Sequence, residues 1–183
     1  MALVDRVKNI LLTPKTEWPK IAEEVETTKS IYIGYVMILA AIGPIAILVR
    51  GSIFGVTMAI MSYAIALGMT FLLALIVDAL ATTFGAEKNF IQSLKLVAYS
   101  CTALWVAGIF HLVPIVGGLV VLLAAIYTFY TFFLGVPVMK KCPGDKAVAY
   151  TLVIAVCGFV VGAVLSGVLM SAMYGGNMMG MMR

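Results

Sequence analysis

IYIGYVMILAAIGPIAILVRGSIFGVTMAIMSYAIALGMTFLLALIV, residues 31–77, carries one charged side chain, Arg50, in 47 positions. Arg50-Gly51-Ser52 splits it into two apolar runs, Ile31–Val49 and Ile53–Val77. An α-helix rises about 1.5 Å per residue, so roughly 17–25 residues cross a hydrocarbon core of about 30 Å. Each run therefore reads as one membrane crossing, and the Gly-Ser turn makes the two antiparallel neighbours. Working outward, three further runs of similar character follow: Leu96–Leu112, Ile115–Val138 and Ala147–Ala172. Charged residues make up 11% of the chain, less than half the ~25% of soluble domains. The expected fold is all-α: a polytopic bundle of five transmembrane helices with short N-terminal amphipathic helices.

Charge is sorted across these spans. With residues 1–30 cytoplasmic, one side holds Arg6, Lys8, Lys15, Lys20, Lys29, Lys88, Lys95, Lys140, Lys141 and Lys146. The other holds Arg50 and Arg183, ten against two of the twelve Lys and Arg. The positive-inside rule then gives a cytoplasmic N-terminus and an outer C-terminus. The net charge of +4 flanks spans, which points to anionic headgroups rather than nucleic acid. Lys8, Lys15, Lys20, Lys140, Lys141 and Lys146 are the expected headgroup contacts. No cleaved leader is expected, because the first long apolar run starts only at Ile31.

Residues 1–30 alternate polar and apolar positions at helical spacing. Leu3, Val7, Ile10 and Leu11 form one stripe, and Trp18, Ile21, Ala22 and Val25 form another. Thr13-Pro14 has the form of a cap followed by proline at the first helical position. These helices are expected on the inner membrane surface, with docking of their apolar faces onto the bundle as the alternative. The organisation is thus an interfacial segment, 1–30, a five-span domain, 31–174, and a Met/Gly-rich tail, 175–183.

Few side chains suggest chemistry. Asp78 closes the second run, where a carboxylate either faces water at the boundary or turns into the bundle as a cation or proton site. His111, the lone histidine, reads as an interfacial tip, with pH sensing as the alternative. Gly158, Gly162 and Ser166 lie four residues apart and let another helix approach closely. Pro44, Pro114 and Pro137 are expected helix breaks. Met178, Met179, Met181 and Met182 offer thioethers that suit Cu(I), or simply an apolar helix end. Cys101, Cys142 and Cys157 have neither metal spacing nor a disulfide framework. No phosphate loop, zinc motif or catalytic triad is legible, so neither an enzyme nor a cofactor is expected.

Ile10-Leu11-Leu12-Thr13-Pro14, then Glu17-Trp18 and Ile21, resemble the lead-in of prokaryotic members of the Yip-type (Ypt/Rab-interacting protein) membrane-domain family. Ala98-Tyr99-Ser100, Pro114, Gly117-Gly118, Tyr127, Tyr130 and Gly135-Val136 resemble that family's third and fourth spans. The resemblance covers nearly the whole chain and implies five spans with a cytoplasmic N-terminus, in the inner membrane of a prokaryote. It supplies no catalytic residues. Eukaryotic members are linked to vesicle traffic and prenylated small GTPases, but the long N-terminal region and its acidic-Tyr-Gly-Pro signature are missing here, so GTPase binding is not carried over. The expected function is association with membrane lipids, and with a second copy or another membrane protein. The alternative is a small transporter or channel for ions, metal or a small solute.

Overall fold

The computed structural model describes residues 2–50 and 53–181. Two short helices, α1 (Leu3–Leu12) and α2 (Pro14–Glu23), precede the long ones. These are α3 (Thr28–Val49), α4 (Ile53–Leu80), α5 (Phe90–Leu112), α6 (Pro114–Met139) and α7 (Gly144–Met181). Among the described residues, five helical segments are long and apolar enough to cross a membrane: Thr28–Val49, Gly55–Leu80, Phe90–Leu112, Val116–Met139 and Gly144–Val168. The five-span bundle expected from sequence is the observed fold.

Local chemistry fixes where the helices start and stop. Thr27 and Ser30 exchange side-chain and backbone hydrogen bonds in a capping box that opens α3. Asn89 Oδ1 accepts from Gln92 N at 3.2 Å and opens α5. The third span therefore begins at Phe90 rather than Leu96, which places Lys95 inside it. Gly85, at φ +69°, takes the left-handed conformation that turns the chain after α4. Pro44 cannot bond the Ala40 carbonyl, and α3 is interrupted at Ala41. Pro114 starts α6 rather than breaking a helix. Pro137, expected as a break, is not one: α6 runs through it and ends two residues later at Met139. A π-helical turn at Tyr32–Val36 in α3 had no sequence signal.

The third span is the centre of the bundle. Of its most apolar stretch 72% is buried, against 17–33% for the other four, so they surround it. Ser93 through Ser100 are all buried. A helix covered on every side has no lipid face to leave polar or apolar. Close approach depends on glycines. A Cβ on Gly108 of α5 would stand 2.9 Å from Gly43 Cα of α3, so these two backbones touch. Gly158 and Gly162 of α7 face Leu73 and Met69 of α4, which makes their contact intrachain. Ser166, expected on the same stripe, is exposed.

The N-terminal helices dock their apolar faces onto the bundle, the alternative raised from sequence. They fold into a hairpin against α5 and α6. Ile10, Trp18 and Ile21 are buried, Trp18 Nε1 donates to Thr131 O at 3.1 Å, and Tyr127 Oη donates to Leu11 O at 2.7 Å. Tyr127 lies twelve residues before Met139, about 18 Å along α6. The hairpin tip thus reaches the middle of the spans. Thr13 Oγ1 donates back to Asn9 O instead of capping α2.

Gly135 is the hairpin's seat. A Cβ there would meet Leu96 Cδ1 at 2.6 Å and Trp18 Cε2 at 2.7 Å. Gly135→Val should cost about 1–3 kcal/mol by overpacking and lift the hairpin. A red shift of tryptophan emission, with new protease cleavage between residues 8 and 24, is the expected readout.

Candidate functional site

The hairpin carries charge into the bundle, and the bundle answers it. On α1, Arg6 is buried, and on α2, Glu17 is fully buried. Arg6 Nη1 donates to Glu17 Oε1 at 2.6 Å, and its Nη2 pairs with Glu24. Asn9 Nδ2 and Lys20 Nζ supply the other Glu17 oxygen at 3.3 and 3.2 Å. Helical spacing produces this: Arg6, Asn9 and Ile10 share one face of α1, and Glu17, Trp18 and Ile21 share the facing side of α2.

The third span completes the cluster. Lys95, with no exposed surface, donates to Ile21 O at 2.8 Å and to Glu24 O. Those carbonyls belong to the last turn of α2, where a helix has no partners of its own and carries partial negative charge. The Glu26 carboxylate stands 3.9 Å from the ammonium and accepts from Tyr99 Oη at 3.1 Å. Arg6 lies over the Tyr99 ring, 5.6 Å from its centroid. Tyr99 packs edge-on against Tyr35, whose hydroxyl is 2.6 Å from Thr102 Oγ1. Beside these groups is a polar vestibule of about 440 Å³, lined by Arg6, Glu24, Glu26, Ser30, Tyr35 and Tyr99. Two carboxylates, a guanidinium and two phenols can hold water or an ammonium group there.

A second embedded pair joins α4 to the end of α6. Lys140 Nζ contacts Asp78 Oδ1 at 3.1 Å, Ser93 Oγ at 2.7 Å and Asn89 O at 3.1 Å. Asp78 therefore turns into the bundle. Lys140, expected at the headgroups, is fully buried and has no access to them: with Asp78, Ser93 and Asn89 as partners it needs no lipid phosphate. Burial pulls its ammonium below the usual lysine range, against the opposing pull of Asp78. Glu87 N donates to Lys140 O at 2.7 Å, which ties the two loops at this end together. Lys141 pairs with Glu87 at 2.7 Å on the surface and holds that carboxyl below its ordinary range.

The remaining expected residues are scattered. Lys8, Lys15, Lys20, Lys141 and Lys146 are exposed. His111 is exposed at the far end, its Nδ1 2.7 Å from Gly108 O, and Arg50 reaches its carbonyl at 3.2 Å. The side chains of Met178, Met179 and Met181, and all of Met182, lie outside the described residues. Among the described residues no three His, Cys, Asp or Glu side chains converge as metal ligands would. The Arg6–Glu17–Lys95 cluster escaped the sequence reading. Its one legible sign was that Arg6 and Glu17 each stand within an apolar stripe.

Fold and cluster together define a multi-pass α-helical membrane protein with a charged hairpin set into its bundle. A model of the Yip1 domain matches residues 8–166, and the chain belongs to that family. The match begins inside α1, so it takes in most of the hairpin as well as the spans. No curated protein and no solved structure matches the chain.

Removing one member of a buried charged set leaves the others without partners. Glu17→Ala should destabilise the protein by about 3–5 kcal/mol in mixed-micelle unfolding. Glu87→Ala, which breaks an exposed pair, should leave the unfolding midpoint unchanged.

Proposed function

We propose that this protein is a non-enzymatic membrane organiser that works by binding anionic lipid around its N-terminal hairpin. The observation that carries this reading is the hairpin's outer face. Lys8, Lys15 and Lys20 are exposed there, and the hairpin reaches about 18 Å along α6 from its basic end. Exposed charge at hydrocarbon depth is unfavourable, and local thinning of the bilayer relieves it. Headgroups drawn down to the hairpin would meet these lysines, and those at the rim would meet Lys141 and Lys146. Each such contact is worth about 1 kcal/mol near an anionic surface.

Association fits the interior better than transport does. Arg6, Lys95 and Lys140 are each held by carboxylates or carbonyls, so a passing cation or solute would have to displace them. Orientation belongs to the same proposal. The ten-to-two distribution of basic residues supports a cytoplasmic N-terminus and an outer C-terminus, and the likeness of the Ile10–Ile21 lead-in to prokaryotic members supports a prokaryotic inner membrane. Partner proteins, including a second copy, would meet the bundle through the lipid-facing sides of α4, α6 and α7.

The test is a protein carrying Lys8→Gln, Lys15→Gln, Lys141→Gln and Lys146→Gln, with Lys20 kept because it also holds Glu17. Its helix content should match that of the native protein. The number of phosphatidylglycerol molecules retained in native mass spectrometry should fall by more than half, and the salt dependence of retention should flatten. Equal retention in both proteins would overturn the lipid reading. A reporter fused after Arg183 that is active in the cytosol would overturn the orientation alone.

A further inference from the structure

The polar vestibule of about 440 Å³ lies between α1, α3, α5 and the segment that joins α2 to α3. Val25, 100% exposed in that segment, marks its opening. Gly34 lines the opposite wall, six residues from Thr28 and so about 9 Å along α3. The space therefore opens where α3 enters the bilayer, within reach of headgroups. A Cβ on Gly34 would meet nothing within 4 Å, so the wall is open there. Gly34 and Tyr35 belong to the π-helical turn Tyr32–Val36, a distortion frequent at functional sites.

The hydrogen-bond stock of the lining is one-sided. Tyr99 Oη donates to Glu26 at 3.1 Å, and Ser30 Oγ donates to Thr27 O at 2.9 Å. Thr102 Oγ1 spends its proton on Tyr99 O at 2.6 Å. The Tyr35 hydroxyl, 2.6 Å from Thr102 Oγ1, is therefore the donor of that pair. Arg6 is 5% exposed and turns Nη1 to Glu17 and Nη2 to Glu24. Every hydroxyl proton of the lining is thus committed. Acceptors are not. Arg6 meets one Glu24 oxygen and leaves the other, and this side chain is 38% exposed. Glu26 takes one phenol proton across its two oxygens. Lys95 stands 3.9 Å from it, beyond hydrogen-bond length.

We propose that the vestibule binds a primary ammonium group, with Glu24 and Glu26 accepting its N–H bonds. The lining carries one cation against two carboxylates, so a positive ligand is favoured. An anion would meet both carboxylates and no uncommitted hydroxyl. A quaternary ammonium would bring charge without any N–H to donate. The group can come from the headgroup of phosphatidylethanolamine or from a free amine such as ethanolamine. The hairpin's exposed lysines play no part, since none of them lines this space.

The experiment uses the full chain in nanodiscs of phosphatidylcholine and phosphatidylethanolamine at equal mole fraction. Anionic lipid is left out, so the result does not depend on the lysines. Native mass spectrometry should find phosphatidylethanolamine retained about three- to tenfold over phosphatidylcholine, the worth of one charge-assisted hydrogen bond at a partly exposed carboxylate. N-methylated and N,N-dimethylated headgroups should fall between the two. Glu24→Gln combined with Glu26→Gln should make retention equal. Gly34→Phe, which fills the space and leaves the charges untouched, should do the same with helix content unchanged. Saturation-transfer NMR with ethanolamine, in nanodiscs of phosphatidylcholine alone, separates the sources. A signal that Gly34→Phe removes assigns the site to a free amine, and a lipid preference without that signal assigns it to the headgroup. Equal retention of the two lipids together with no ethanolamine signal would overturn the proposal. So would a preference or a signal that survives in either variant.

Discussion

An ammonium group with no exposed surface sits on the central helix of this bundle, and much of the structure follows from where it finds its partners. Lys95 is buried in α5, where bare charge is untenable. It is held by the end of another helix: the Ile21 and Glu24 carbonyls at the close of α2 accept two of its hydrogen bonds, and the Glu26 carboxylate stands beside it. That requirement brings the N-terminal hairpin into the membrane. Once there, the hairpin must satisfy its own charges, which it does through Arg6 and Glu17. Trp18 then fills the space above Gly135, and the central helix is covered from Ser93 through Ser100.

The same arrangement shapes the outside of the molecule. A hairpin whose inner face is committed to α5 and α6 has only its outer face to offer, where Lys8, Lys15 and Lys20 stand exposed with Asp5 and Glu23. The bilayer therefore meets two different surfaces. Around α4, α6 and α7 it finds aliphatic and aromatic side chains such as Leu119, Leu122, Ile126 and Phe159. Around the hairpin it finds the exposed Lys8, Lys15 and Lys20. Lipid organisation, as proposed here, is the response of the bilayer to that contrast.

Spans and their number were legible because membrane crossing is a matter of length and composition, and residues 31–77 display both. The turn at Lys140–Lys146 and the start of α6 at Pro114 were legible for a similar reason, since proline and glycine act locally. What could not be read were facts about partners. Lys95 and Lys140 carry the same side chain as Lys8 and Lys15, so the sequence reading counted them together as one basic rim. Their burial depends on Glu26 and Asp78, which are 69 and 62 residues away in the chain. Docking of the hairpin was left open because an amphipathic stripe specifies an apolar contact without saying whether lipid or protein provides it. The family resemblance pointed to Trp18, Tyr99, Tyr127 and Gly135 without revealing that Trp18 packs on Gly135 or that Tyr99 and Tyr127 bond the N-terminal segment.

Trp18 and the carbonyl it bonds, at Thr131, are 113 residues apart. At about 5–20 residues per second of synthesis, the hairpin leaves the ribosome roughly 6–23 s before its seat exists. During that interval Arg6 and Glu17 have only partners within the N-terminal segment itself, Asn9, Lys20 and Glu24, and the indole has no groove to enter. Biogenesis of this protein therefore includes a waiting period, in which an unseated amphipathic segment is available to insertion factors, chaperones or proteases, and which ends only when the fourth span has joined the third.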